Sequence, residues 1–534
     1  MEDVYGATIG RIKAQGGDKS RLGMGALMWI SYAEEPLSPD ELCHALAIEL
    51  GSTDFNADNI PSITTLVGCC QGLVTVDKEE SDVRLIHFTL REYFSSHPDI
   101  FSRHHSAIAE MCLTYLNSQQ VKALSPNPST DVYAVLSERP FLRYCTLYWG
   151  AHAKMDHSDC ARSLALELFR ESSVHISAVC LLEREIDQDR FSTIRFFNGL
   201  HWASFLGIVE IVAALIQTGF YDLNGGGYRE CPPLLLAARK GHEEVVNILL
   251  GREEVDPDKP DDIGRTPLSY AAQEGHEGVV KTLLRLEGVD PARPDMFGGT
   301  PLLHAAEHGR VSVLEILLGR EEVDSDKPDI SGQTPLSHAA ERGQVGVLEI
   351  LLEREEVDPD KPDMFDRTPL SYAAHRGWEA AVAILLERAE VDPDKPDDRG
   401  QTPLLYAASS VAYNGYLPEH GEVVKILLKR EEVNPDRPDD DGRTPLSHAA
   451  KGGRTGVVKI LLGREEVNPD RRDNDGRTPL SHAAEGGRTE VVKMLLERED
   501  VSRGEPDNFG KTPLMWTPRW SVREMEAVLQ PYKT

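Results

Sequence analysis

The second half of this chain has no cysteine. All eight (Cys43, Cys69, Cys70, Cys112, Cys145, Cys160, Cys180 and Cys231) fall in the first half, irregularly spaced and mostly inside apolar helical patterns. No Cys-x-x-Cys and no cysteine–histidine zinc spacing occurs, so a zinc framework is excluded. Reduced, buried thiols point instead to the cytoplasm or nucleus. Positive charge is also short. Lys and Arg number 57 against 88 Asp and Glu, a formal net charge of −31. Such a chain repels phosphate backbones and anionic lipid, which argues against nucleic acid and membrane surfaces as partners. Long apolar runs are missing. The most apolar stretch, 200–220, is interrupted by His201 and Glu210 and is not expected to span a bilayer. The opening MEDVYGATIG lacks the basic-then-apolar order of a signal peptide. GEPDNFGKT at 504–512 has one residue too many between its glycines for a phosphate-binding loop, and Lys511 falls in register with a variable position of the repeats described next. No catalytic set stands out by spacing, so the chain is expected to be non-enzymatic, without cofactor or metal.

What the chain does have is one word, repeated. GRTPLSYAAQEG at 264–275 returns as GRTPLSHAAKGG at 442–453 and GRTPLSHAAEGG at 476–487. The threonine recurs at Thr266, Thr300, Thr334, Thr368, Thr402, Thr444, Thr478 and Thr512, every step 34 residues except one of 42. Stepping back reaches Pro232 and Asn198, which makes ten units with degenerate ends. Each unit predicts two helices. Thr266 is a good N-cap and Pro267 suits the first helical position. Leu268, Ala271 and Ala272 share a face, and Gly275 ends the helix. Val279, Val280, Leu283 and Leu284 mark a second amphipathic helix, and the acidic, proline-bearing REEVDPDKPDDIG predicts an extended loop or hairpin. So small a unit buries its apolar face only by stacking on copies of itself.

The words TPLSHAA, GHEEVV and ILL resemble the ankyrin repeat, over 198–534. Two departures are visible. Serine (Ser269, Ser337, Ser371, Ser447, Ser481) or leucine stands where the ankyrin pattern favours the histidine kept at His201, and the unit is one residue longer than usual. The longer step is an eight-residue insertion within SSVAYNGYLPEHG, near 409–420. It is either a projecting contact element carrying Tyr413 and Tyr416 or a tolerated loop. Residues 512–534, with Pro518 breaking the first helix, read as a C-terminal cap.

Residues 1–118 follow another plan. A helical apolar run covers 25–32, Ser38 and Glu41 form a capping box, a third helix covers 63–70, and GLVTV and DVRLIHF form a hairpin. Three helices and a hairpin make a winged helix. LMWISYAEEPLSPDELCHALAIE, CCQGLVTVD and RLIHFTLREYF resemble the winged helix, of the GPI inositol-deacylase type, that follows the NACHT ATPase in fungal NLR-like (STAND) receptors. Residues 119–197, with FLRYCTLYWGAHA, resemble the helical connector joining that domain to ankyrin repeats. The expected architecture is therefore mainly α: a winged helix at 1–118, a helical connector at 119–197, and an ankyrin solenoid at 198–534. The resemblance implies a ligand-sensing arm whose NACHT-type ATPase is absent from this sequence or supplied in trans. It also gives His87 a role as a phosphate contact, but only where such an ATPase is present. In the isolated chain, His87 is expected to pack against the wing. DNA binding is disfavoured, since the third helix holds no lysine or arginine.

A protein partner is expected on the concave ankyrin face, at positions where near-identical units differ. These are Met296 and Phe297; Ile330 and Gln333; Met364, Phe365 and Arg367; and His375, Arg376 and Trp378. The opposite possibility is that Phe297 and Phe365 tuck against neighbouring hairpins. The acidic loops lack calcium-loop spacing and are expected to be solvated. A helical position alternates between rings: Tyr270, His304, His338, Tyr372, Tyr406, His448 and His482. Stacking and hydrogen bonding between neighbouring units is expected there rather than a metal stripe.

Overall fold

The computed structural model describes residues 2–52, 54–77, 81–124, 132–156, 158–170, 198–409 and 420–529. They fall into two compact units, dividing between Asp262 and Ile263. Both are mainly helical.

The first unit opens with α1 (Glu2–Ala14), which the sequence reading did not anticipate. Then come α2 (Gly17–Tyr32), α3 (Pro39–Leu46) and α4 (Ile63–Cys69). At the start of α3 the Glu41 amide donates to the Ser38 hydroxyl at 3.2 Å, and the Ser38 amide donates to the Glu41 carboxylate at 2.8 Å. That is the expected capping box. Strands β1 (Val74–Val76) and β2 (Val83–Leu85) pair antiparallel with Thr75 opposite Arg84. The winged-helix arrangement is thus present.

After α5 (Thr89–Ser96) and α6 (His104–Asn117) come α7 (Gln119–Lys122), α8 (Val132–Glu138), α9 (Pro140–Met155) and α10 (Asp159–Arg170). Trp29 of α2 is fully buried and meets Phe141 and Tyr144 of α9 edge-on, each at 5.5 Å between ring centres. Helix α6 lies along α9. The winged helix and the helices after residue 118 therefore share one core. Helix α10 packs in turn on Gly199–Leu206 and Val209–Gln217, the first repeat pair. A side chain on Gly199 would come within 2.8 Å of the Phe169 carbonyl oxygen, so only glycine permits this approach. The open end of the first repeat is covered by α10, and the first two repeats cluster with the N-terminal helices.

The second unit stacks helix pairs from Pro267–Glu274 with Glu277–Leu283 to Pro479–Glu485 with Thr489–Leu496. The Thr266 hydroxyl accepts from the Ser269 amide at 3.1 Å and lies 3.1 Å from the Ser269 hydroxyl. The arrangement recurs at Thr334, Thr368, Thr444 and Thr478. Serine after Thr-Pro-Leu thus completes a local cap in histidine's place. Leu268, Ala271, Ala272, Val279, Val280 and Leu283 have no exposure. Each buried valine or leucine contributes about 1.5–3 kcal/mol against the ordering of the chain. The last unit closes with a 3₁₀ turn, Pro513–Trp516, and the helix Val522–Leu529. Pro518 prevents continuation of that turn.

Candidate functional site

The loops between helix pairs form hairpins without strand pairing, and one aspartate organises each. Asp295 Oδ1 accepts from the amides of Phe297 and Gly299 at 2.9 and 2.8 Å, while Oδ2 meets His304 Nε2 at 3.0 Å. Asp329 with His338, Asp363 with Tyr372, Asp397 with Tyr406, Asp439 with His448 and Asp473 with His482 repeat this, at 2.6 to 3.0 Å. Contrary to the expectation of bonding between neighbouring units, these six rings each bond the aspartate of the hairpin that precedes them. The reason is reach: the aspartate stands nine residues before its ring and directly over it. An aspartate at that offset in every unit from Tyr270 onward was a signal in the sequence. Burial works to raise Asp295, but the bonds from His304 and the two amides outweigh it and hold the carboxyl at about 2. His482 is raised despite burial, by Asp473 and Glu485.

Neighbouring tips are joined by single backbone bonds. Met296 N–H donates to Ile263, Ile330 to Phe297, Met364 to Ser331 and Asp398 to Phe365, at 2.9 to 3.1 Å. Met296, Phe297, Ile330, Met364 and Phe365 are thereby brought onto one row, and all are exposed, from 44% at Phe365 to 64% at Ile330 and Met364. Phe297 and Phe365 are not tucked away. Two of the sequence-selected residues on these hairpins are not on the exposed row. The Gln333 side-chain nitrogen is buried. Arg367 is half-buried, paired with Asp363 at 2.7 Å and stacked 4.9 Å over both Phe365 and Tyr372.

His375, Arg376 and Trp378 form a separate group at the far end of the helix Pro369–Arg376. Arg376 pairs with Glu341 of the preceding unit. Trp378 donates from Nε1 to the Glu341 carbonyl at 2.9 Å, and its ring covers Gly343. Arg310, Gln344 and His420 send a side-chain nitrogen to the equivalent carbonyls Gln273, Glu307 and His375. Trp378 thus fills a joining position between units, although 44% of it stays exposed.

His87 is exposed rather than packed against the wing. Its Nδ1 lies 2.9 Å from the Thr89 hydroxyl and accepts from the Thr89 amide at 3.3 Å, so the ring is drawn to the start of α5, outside the wing. It stacks on exposed Phe88 at 4.5 Å. Lys511 lies 4.0 Å over the Trp516 ring, and its amide donates to Asp507. The acidic loops are less solvated than expected. Asp360 and Asp394 are largely buried and take Lys395 and Arg437 of the following unit at 2.9 and 3.0 Å. Burial raises both carboxyls nonetheless. Among the described residues no group of three or more His, Cys, Asp and Glu could hold a metal ion, and no helix is long and apolar enough to cross a membrane. The described cysteines are free, and all but Cys160 are buried. Cys180, Tyr413, Tyr416 and most of the insertion lie outside the described residues.

A family model for ankyrin repeats (three copies) matches overlapping stretches at 200–295, 278–363, 355–435, 411–504 and 453–525. The chain belongs to the ankyrin-repeat family. A second model, the winged helix domain of GPI inositol-deacylase, matches residues 12–112. No curated protein matches the chain. Ankyrin repeats point to a protein-interaction module, and the exposed apolar tips give this ankyrin array a surface of that kind.

Proposed function

We propose that this chain is a non-enzymatic recognition module, the ligand-sensing ankyrin arm of an NLR-like receptor for innate immunity or self/non-self discrimination, working in the cytoplasm. The row of exposed apolar tips carries the reading. Met296, Phe297, Ile330, Met364 and Phe365 sit on hairpins that buried aspartates and tip-to-tip bonds hold rigid. Exposed aromatic and methionine side chains on a fixed scaffold are hot-spot chemistry. The winged helix before the array, which matches the GPI inositol-deacylase type, supports the receptor setting. The free, mostly buried thiols suit a reducing compartment.

The test is affinity capture from the native cell with the whole chain as bait, beside Phe297→Ala and Phe365→Ala baits of unchanged melting temperature. A specific protein held by the first bait and weakened at least tenfold by the variants supports the module. Capture indifferent to both would sink it.

A second reading has its own observation. His87 stands exposed between exposed Ile86 and Phe88. A histidine so placed suits contact with a phosphate held by a NACHT-type ATPase, making the chain the C-terminal part of a nucleotide switch. An in-frame NACHT-coding segment upstream of Met1 in the genome would favour it. Titration of the chain with a separately expressed NACHT domain and ADP, with His87→Ala as control, tests supply in trans.

A further inference from the structure

Seven tips of the second unit place glycine at one left-handed position: Gly264, Gly298, Gly332, Gly400, Gly442, Gly476 and Gly510, with φ from 73° to 85°. The remaining tip has Asp366 there, at φ 60°, the only described non-glycine residue of this unit with positive φ. Glycine is wanted for a second reason, the closeness of the next tip. A side-chain carbon on Gly298 would come within 2.8 Å of the Ile330 amide nitrogen, and one on Gly332 within 2.7 Å of the Met364 amide nitrogen. Asp366 therefore takes a left-handed conformation that costs a side-chain-bearing residue energy, at the position where its sisters show the relaxed solution. Strain kept against so easy a remedy points to a use for the side chain.

The position of Asp366 suggests that use. Toward the N-terminus the tips present Met296, Phe297, Ile330, Met364 and Phe365. After Asp366 the next two tips present exposed Asp398 and Asp440, and the last tip presents exposed Phe509. Arg399 also stands exposed there, but the three carboxylates outnumber it. Arg367, the cation nearest Asp366 in sequence, is already paired with buried Asp363. Between the Met296 tip and the Asp440 tip the row thus changes from apolar to acidic at Asp366.

Resting on the interaction-module reading, we infer that the tip row takes one extended segment of a protein partner whose apolar side chains run into lysine or arginine, with the changeover at Asp366. Tips about 10 Å apart match about three residues of extended chain. The segment therefore carries apolar side chains about three residues apart, followed by cations at similar spacing. Electrostatic complementarity fixes its direction, and the contact weakens with salt.

A random-peptide phage library selected on the whole chain tests this. The best enriched peptide is synthesised and measured by fluorescence anisotropy. Expected are peptides with apolar residues leading into Lys or Arg. Their affinity falls at least tenfold on Phe365→Ala, at least threefold on Asp366→Gly, and further on Asp398→Asn with Asp440→Asn. Asp366→Gly leaves the melting temperature unchanged or raises it, since glycine serves the sister tips. Peptides that are acidic or uncharged, or an affinity unmoved by Asp366→Gly, overturn the inference. If Phe365→Ala still weakens those peptides, the module reading survives. A lower melting temperature for Asp366→Gly assigns Asp366 to structure and also overturns the inference. A library with no binder, or with binders indifferent to every tip substitution, overturns both.

Discussion

Lowering the pH from 7 to 5 should loosen the first unit, with His152 as one separable contributor beside buried His201. His152 of α9 has no exposure. The Glu34 amide donates to the Tyr144 hydroxyl oxygen at 3.1 Å, and that hydroxyl lies 2.9 Å from His152 Nε2. Tyr144 therefore donates to Nε2, which leaves the His152 proton on Nδ1, 2.8 Å from His105 Nδ1. A second proton on His152 has no acceptor along this chain. Burial, and then the nearby His105 and His104, press its pKa down to about 3. A folded-state pKa below the unfolded one means the stabilisation is present above the unfolded value and fades as pH falls below it. With an unfolded value of about 6.5, the loss between pH 7 and 5 is about 2 kcal/mol. In His152→Gln the amide can accept from Tyr144 and donate to His105, yet carries no titrating group. Hydrogen exchange of the α9 amides, corrected for the intrinsic rate, separates this unit from the other. From pH 7 to 5, protection in the natural chain should fall roughly twenty-five-fold more than in the variant, the equivalent of that energy. Equal pH dependence of the two proteins would refute the argument.

Asp439→Ala removes the acceptor of the Asp441 and Arg443 amides and of His448 Nε2. It should cost the second unit about 3 kcal/mol in urea unfolding, and a loss below about 1 kcal/mol would show that the hairpin does not depend on it. Trp378→Ala should lower the melting temperature, while Trp378→Arg should restore most of it, because Arg310 already makes the equivalent bond to Gln273. Failure of arginine to rescue would mean the joining bond is unimportant. The purified chain should not turn over ATP; turnover abolished by Lys511→Ala would overturn the assignment of Lys511 to the Trp516 ring.

The repeat was legible because each helix start is written locally. Thr-Pro-Leu supplies the cap, the permitted proline and the first core residue within one turn, and the structure uses all three. The hairpins were less legible because their order comes from contacts across sequence. Asp295 and His304 stand nine residues apart, an offset that matches neither helix nor strand, so periodicity does not expose the pair. The candidate residues were chosen as differences between otherwise equal units, and that criterion cannot separate two kinds of difference. Met364 and Phe365 vary because both side chains stay exposed, with only Arg367 of the same hairpin stacked on the Phe365 ring. Trp378 varies because tryptophan, arginine, glutamine and histidine can all deliver one N–H to the carbonyl of the preceding unit. Variation at the tips is freedom, whereas variation at position 378 is chemical equivalence, and only the partner of each side chain tells them apart. The same reasoning isolates Asp366. It too differs from its sisters, but at a position where the backbone is strained and the sisters' solution is simpler, and so neither freedom nor equivalence accounts for it.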